Sequence, residues 1–374
     1  MKFLFTCGGT AGHINPAIGV AAYLKRQVPG AEILFIGAKG RMETELVPRE
    51  GFEISTIEID NISRSLSLAG LKHNLHTARC LLRGSAEARA ILKEFRPDVA
   101  VGTGGYVCYP VLRAAHAQGV PTLVHESNAV PGLTTKLLAR FADCVMLGFS
   151  GAAENYPRRA RTEYTGIPVR EEFQRLDRDS ARRALGIPPD RPLLVSVWGS
   201  LGSGHINGLM PEFMELAARR RDFDLIHSAG KRYYKELSEQ AEKRCGGDLL
   251  SRGIDLREYI YDMPAVMAAA DLIMCRSGAS TLGELAALGK PALLVPSPNV
   301  TNNHQEKNAR LLERAGAARV LLEGQFDAGG LYDAAWALLR DSAARDAMSK
   351  AMRAAAAPDA TERIAKRILG TISK

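Results

Sequence analysis

Thr6-Cys7-Gly8-Gly9-Thr10-Ala11-Gly12-His13 decides the fold. An apolar strand, Phe3 to Phe5, runs into this glycine-rich turn, and the pattern predicts a helix starting near Asn15-Pro16. Glycines let backbone N–H groups close on a charged ligand, and the helix start that follows attracts anions. His13 stands at the mouth of the turn, and an imidazole there can move a proton near neutral pH. The segment points to a site for a phosphate-bearing molecule with a proton acceptor at its edge. It is not a P-loop, which needs Lys-Ser/Thr after the last glycine. It also fits a dinucleotide site poorly. Such sites carry an acid at the end of the second strand, and here that strand ends in Ile36-Gly37-Ala38.

Outward from this turn, strand and helix signals alternate. Strands are predicted at Lys2–Cys7, Ile33–Ile36, Val99–Gly102, Thr122–His125 and Cys144–Leu147, with helices between them that include Ala17–Arg26 and Leu133–Arg140. Alternation of this kind predicts a doubly wound parallel sheet. A charged, Gly- and Pro-rich connection follows, from Thr165-Gly166-Ile167-Pro168 to Gly186-Ile187-Pro188-Pro189-Asp190-Arg191-Pro192. The second half then starts as the first did. Leu193–Val197 enters Trp198-Gly199-Ser200-Leu201-Gly202-Ser203-Gly204, and further strands are predicted at Leu225–Ser228, Leu272–Cys275 and Ala292–Val295. The fold class is therefore α/β, with two similar lobes, a cleft between them, and ligands at the carboxyl ends of the strands.

Composition narrows the partners. The 374 residues fit about two domains. Lys+Arg is 49 and Asp+Glu 41, so the net charge of +8 suits an acidic ligand or an anionic surface. Basic blocks interleaved with aromatics are missing, which argues against nucleic acid. The six cysteines form no C-x-x-C pair, and Cys7, Cys144 and Cys275 read as buried free thiols of a cytosolic protein. The short apolar start is not a signal peptide, and no run is long enough for a membrane span.

Further segments carry chemistry. Arg276-Ser277-Gly278-Ala279-Ser280-Thr281-Leu282-Gly283-Glu284 is again strand, turn and helix start. Ser280 and Thr281 can cap that helix or donate to a diphosphate, and Glu284 can take both hydroxyls of a ribose or merely complement the helix dipole. Asn302-Asn303-His304-Gln305-Glu306-Lys307-Asn308-Ala309 clusters amides suited to sugar hydroxyls after an apolar strand. Asp177-Arg178-Asp179 and Asp222-Phe223-Asp224 read as solvated charge, and no cluster has metal-ligand spacing. Between residues 61 and 96, seven basic and two acidic residues leave a local charge of +5. Leu71, Leu75, Ala78 and Leu82 recur at helical spacing beside Lys72, His76, Arg79 and Arg83. One reading places Leu71, Leu75 and Leu82 in the core with the basic residues in water. The other rests the basic stripe on anionic lipid, with Leu66 and Leu68 dipping into the interface.

Taken together, six segments in order resemble the MurG family of glycosyltransferases over nearly the whole chain. They are Gly8-Gly9-Thr10-Ala11-Gly12-His13-Ile14-Asn15-Pro16, Gly104-Gly105-Tyr106-Val107, His125-Glu126-Ser127-Asn128, Gly166-Ile167-Pro168-Val169-Arg170, the 276–284 segment, and His304-Gln305-Glu306-Lys307-Asn308-Ala309. The resemblance implies a GT-B fold. It implies an acceptor- and membrane-side lobe at 1–165, with the helix 358–374 packing back on it, and a UDP-N-acetylglucosamine lobe at 166–357. The implied reaction is inverting transfer of N-acetylglucosamine to the 4-hydroxyl of undecaprenyl-pyrophosphoryl-MurNAc-pentapeptide, lipid I to lipid II, in peptidoglycan synthesis, at the cytoplasmic face of the plasma membrane and without a cofactor. Another UDP-sugar transferase with a lipid acceptor, or an enzyme like UDP-N-acetylglucosamine 2-epimerase, would share the architecture. By the resemblance, His13 is the general base or, alternatively, a ligand of the acceptor pyrophosphate. Thr10, Ala11, Gly12, Asn128 and Arg170 line the cleft near the donor, and Ile260 holds uracil through its backbone. Glu284 binds ribose; Ser200, Ser280 and Thr281 bind the diphosphate; Ala279, Leu282 and Gly283 also contact the substrate; and Gln305 reads the sugar hydroxyls beside His304. Three departures stand out. Trp198-Gly199-Ser200-Leu201-Gly202-Ser203 replaces the usual Gly-Gly-Ser-Gln-Gly-Ala. Ala11 stands where a second glycine is more typical, and Cys108-Tyr109-Pro110 replaces Ser-Gly-Pro, where Tyr109 can narrow the acceptor pocket.

Overall fold

The computed structural model describes residues 1–60, 68–199, 202–300, 303–357 and 359–373, without the side chains of 68–76 and 78. The chain divides into two units, Met1–Val169 with Ala357–Lys374, and Arg170–Ala356.

The first unit is a seven-stranded sheet of β1 (Lys2–Thr6), β2 (Glu32–Ala38), β3 (Glu53–Ile57), β4 (Val99–Gly102), β5 (Thr122–Glu126), β6 (Cys144–Leu147) and β7 (Thr162–Tyr164). Their order is β3-β2-β1-β4-β5-β6-β7, and every pairing is parallel. Alternation along β1 sends Phe3 and Phe5 to one core and Leu4 to the other. The first core is closed by the helix Ala11–Gln27 and by the C-terminal helix Ala360–Ile372, whose Ile364, Ala365 and Ile368 pack with Phe3, Phe5 and Leu24. The second core is closed by the helices Leu68–Phe95 and Cys108–Ala117.

The second unit repeats the plan with β8 (Leu193–Val197), β9 (Asp224–Ser228), β10 (Ile254–Arg257), β11 (Leu272–Cys275), β12 (Ala292–Leu294) and β13 (Ala318–Val320), in the order β10-β9-β8-β11-β12-β13. Each sheet reverses direction of growth next to its first strand, between β1 and β4 and between β8 and β11. Such switch points leave a crevice beyond the strand ends, and the glycine turns follow these strands.

Four strands escaped the sequence reading: β3, β7, β10 and β13. All four are sheet edges. Edge strands are wetted along one side, so EISTI, TEY, IDLR and ARV lack the continuous apolar run of the central strands. The six cysteines are free and buried. The first Asp-x-Asp triplet keeps Asp177 and Asp179 in solvent, as expected, whereas Asp222 and Asp224 of the second are half-buried and paired. Asp177 caps the helix Arg178–Leu185 through Ser180 N–H, Asp222 accepts from the Tyr332 hydroxyl at 2.9 Å, and Asp224 pairs with Arg191 at 2.9 Å.

Candidate active site

In the first unit, the helix begins at Ala11, earlier than the Asn15-Pro16 start expected from sequence. Pro16 looked like a first-turn marker but lies inside the helix. His13 therefore sits in the first turn. Its Nδ1 lies 3.0 Å from the Gly8 carbonyl and 3.4 Å from Thr10 Oγ1. A carbonyl only accepts, so Nδ1 carries the proton and Nε2 presents a lone pair. Thr103 Oγ1 donates to the His13 carbonyl at 2.6 Å.

The turn after β4 packs against the turn after β1. Gly8 N–H donates to Gly104 O at 3.1 Å. Gly104, at φ +123°, gives its side-chain space to the imidazole: a Cβ there would lie 2.5 Å from His13 Cδ2. Gly105, at φ +96°, would place a Cβ 2.4 Å from Gly8 O. Neither position accepts an L side chain without moving the His13 ring or its anchor.

Two acids support these loops, and sequence reasoning singled out neither. Glu43 is fully buried and accepts from Gly9 N–H at 3.2 Å and Ala38 N–H at 2.9 Å. An acid does lie beyond β2, but it turns inward to the glycine turn rather than outward to a ribose. Glu126, also buried, accepts from the Asn128 backbone and side chain at 3.0 Å each, from Gly132 N–H at 3.2 Å and from Thr135 Oγ1 at 2.7 Å. That four-donor clasp fixes the loop carrying Asn128.

In the second unit, the turn after β8 rests on a buried neutral network. His227 Nδ1 meets Ser196 Oγ at 2.9 Å and its Nε2 meets Asn207 Oδ1 at 3.0 Å, while Trp198 Nε1 donates to Ser196 Oγ at 2.8 Å. Burial pushes the His227 imidazole down to about 3, so it stays uncharged. Ser203 caps the helix Gly204–Arg220. Arg276 lies over the Trp198 ring at 5.6 Å, donates to Ser203 Oγ at 2.8 Å and pairs with Glu323. Ser200 and Leu201 lie outside the described residues, as do Asn302 and Leu66.

The helix Ala279–Leu288 starts after β11 with Gly278 as its N-cap and no side-chain cap. Ser280 and Thr281 are therefore not its caps but part of its first turn, at the positive end of the helix dipole. Ala279, Leu282 and Gly283 complete that turn and the start of the next. Glu284, one turn further, accepts no hydrogen bond from a described residue. Burial pushes its carboxyl up to about 7, against the pull of the Arg170 guanidinium. Ser277, buried, donates to Gln305 O at 2.8 Å, and Gln305 Oε1 accepts from Ser297 N–H at 2.8 Å. The Gln305 oxygen is thus fixed and its amide N–H₂ remains for a ligand. Ile260 buries its side chain, and its backbone N–H and C=O bond to no described residue.

A carboxyl, a helix start without a side-chain cap and a backbone donor–acceptor pair thus lie on one unit, and an oriented imidazole sits on the other. This is the equipment of a glycosyltransferase of the GT-B fold, with two Rossmann-like domains. Comparison with known proteins agrees. Residues 3–147 match the glycosyltransferase family 28 N-terminal domain and residues 193–364 its C-terminal domain. The UDP-N-acetylglucosamine--N-acetylmuramyl-(pentapeptide) pyrophosphoryl-undecaprenol N-acetylglucosamine transferase of Acetivibrio thermocellus is 43% identical, with 97% of this chain and 96% of the relative covered. The enzyme of that name from Caldanaerobacter subterraneus subsp. tengcongensis is 42% identical, with 97% and 98% covered. The crystal structure of Acinetobacter baumannii MurG superposes with a TM-score of 0.78 at 27% identity, covering 99% of each chain. The chain belongs to glycosyltransferase family 28, in the group of these N-acetylglucosaminyltransferases.

Proposed function

We propose that this chain moves N-acetylglucosamine from UDP-N-acetylglucosamine to the 4-hydroxyl of undecaprenyl-pyrophosphoryl-MurNAc-pentapeptide, completing the lipid-linked disaccharide of peptidoglycan synthesis. The observation that carries this reading is identity above 40% over nearly the full length to relatives named for that reaction. The geometry supports the chemistry. The acceptor hydroxyl attacks the anomeric carbon, its proton passes to His13 Nε2, and UDP departs from the opposite face. An α-linked donor then gives a β-linked product. Positioned base catalysis contributes about 10²–10⁴-fold. Charge growing on the departing diphosphate meets the N–H groups at the start of the helix Ala279–Leu288, with Ser280, Thr281 and Ser200 as side-chain donors. Preorganised donors of this kind can serve where other transferases use a metal ion.

On this reading Ile260 pairs with uracil, Glu284 accepts the ribose hydroxyls and Gln305 donates to the sugar. Thr10, Ala11, Gly12, Asn128 and Arg170 contact the donor.

The lipid acceptor implies a protein that works on a membrane surface, on its cytoplasmic side. No described helix is long and apolar enough to cross one. The helix Leu68–Phe95 offers a docking face instead. Leu82 is 75% exposed, not in the core as the plainer sequence reading had it, and it lies beside exposed Arg79 and Arg83. An exposed leucine flanked by arginines suits an anionic interface.

The test incubates the purified protein with UDP-N-acetylglucosamine, with and without a lipid-linked muramyl-pentapeptide. A β-1,4-linked disaccharide lipid is the expected product. Epimerised sugar formed from donor alone would refute the proposal.

A further inference from the structure

The peptide unit joining Gly8 to Gly9 is gripped at both ends. Its carbonyl accepts from His13 Nδ1 at 3.0 Å, and its N–H donates to Glu43 Oε2 at 3.2 Å. The remaining Glu43 oxygen takes Ala38 N–H at 2.9 Å. The side chain is fully buried, and no described basic residue pairs with it. Space for it is made by two glycines. A Cβ on Gly8 would lie 2.4 Å from Glu43 Oε1, and one on Gly37 2.5 Å from Glu43 Cγ. The titratable neighbours are the Cys7 thiol at the end of β1 and the Cys108 thiol at the head of the helix Cys108–Ala117. Burial pushes both up, Cys108 to about 12, so both stay neutral. Across the peptide, the groups facing His13 are the Thr10 and Thr103 hydroxyls and the Gly104 backbone.

A carboxylate at the N–H end of an amide draws electron density toward the carbonyl and makes it a stronger acceptor. Chains of hydrogen bonds strengthen one another by perhaps 10–30% per bond. We propose that Glu43 is a positioning residue for His13, acting across the Gly8–Gly9 peptide. It holds the imidazole as the Nδ1–H tautomer and supports the imidazolium formed when Nε2 takes the acceptor's proton. The arrangement is the carboxylate–imidazole pair of a hydrolase triad with one peptide group inserted. No proton reaches Glu43: the Nδ1 proton stays in place, and the transferred proton stays on Nε2 until solvent removes it. The inference rests on the reading of His13 as the base.

The test is nitrogen-15 NMR on protein labelled in its histidine rings, together with kinetics. In the parent, His13 shows a protonated Nδ1 and a bare Nε2. Glu43→Gln keeps the shape but removes the charge and can accept only one of the two N–H groups. It weakens the tautomer preference that the Gly8 carbonyl sets, and lowers kcat about 10–100-fold, the range for acids behind ligating imidazoles, with the donor KM unchanged. Glu43→Asp restores part of kcat. A parent His13 protonated on Nε2 overturns the proposal without any variant, so poor folding of Glu43→Gln does not shelter it. A Glu43→Gln enzyme with parental kcat overturns it too. Failure of the transferase reading is distinguishable, because it appears as a parent that transfers no sugar whatever its tautomer.

Discussion

The turn after β1 and the turn after β8 occupy equivalent places in two sheets of the same order, yet they are built from different chemistry. Behind the first lies an ionisable acid, Glu43, joined through a peptide to an imidazole with an open nitrogen. Behind the second lies a histidine that burial keeps neutral, closed on both sides by Ser196 and Asn207. His13 has one ring nitrogen to offer and His227 has none. A shared topology therefore hosts an imidazole with an open nitrogen in one unit and a closed, uncharged one in the other. What distinguishes the two histidines is their hydrogen-bond partners, not the motif around them.

The largest expected effect comes from removing the open nitrogen. His13→Ala lowers kcat by about 10²–10⁴-fold, read by steady-state assay, while the donor KM stays near the parent's. A raised acceptor KM with kcat preserved would instead make His13 a ligand of the acceptor pyrophosphate.

A smaller loss follows in the second unit. Glu284→Gln weakens UDP binding by roughly 10-fold or more, the range for hydrogen bonds to a charged group, as titration calorimetry reads it. Turnover of bound donor changes less. The same carboxyl predicts a pH dependence. Its folded-state value, raised to about 7, favours the protonated form, so its contribution to folding stability is present below its ordinary range and lost as pH rises through 7. On the proposed ribose assignment, the hydroxyls donate to the ionised form, so UDP affinity is expected to run the other way. The ionised fraction rises from about 0.1 at pH 6 to about 0.9 at pH 8, and affinity rises about 10-fold with it. Glu284→Gln removes this part of the dependence, which separates it from titration of the UDP phosphate. The smallest effect per residue belongs to the basic face of the helix Leu68–Phe95. Neutralising Arg79 or Arg83 costs about 1 kcal/mol each in binding to anionic vesicles, measured by flotation or sedimentation.

Much of this was legible in the sequence, for a physical reason. Central strands such as Leu193–Val197 are buried on both faces, so their apolar runs and the glycine turns after them leave local marks. Edge strands such as Thr162–Tyr164 leave almost none. The helix start at Ala11 was hidden because Pro16 mimics a first-turn proline. Glu43 stands far along the chain from Gly9, and only the parallel crossover from β1 to β2 brings them together. The signal that could have found it is an acid just past the second strand, in Gly40-Arg41-Met42-Glu43. Glu126 lay inside a quoted motif, but its role became visible only when its four donors were placed around it.

The most direct measurement of the division between the two turns is a calorimetric titration of UDP into His13→Ala and Glu284→Gln side by side, paired with turnover. The account predicts that His13→Ala keeps parental UDP affinity and loses turnover, while Glu284→Gln loses affinity and keeps most of its turnover at saturating donor. Equal loss of UDP affinity in both variants would contradict it.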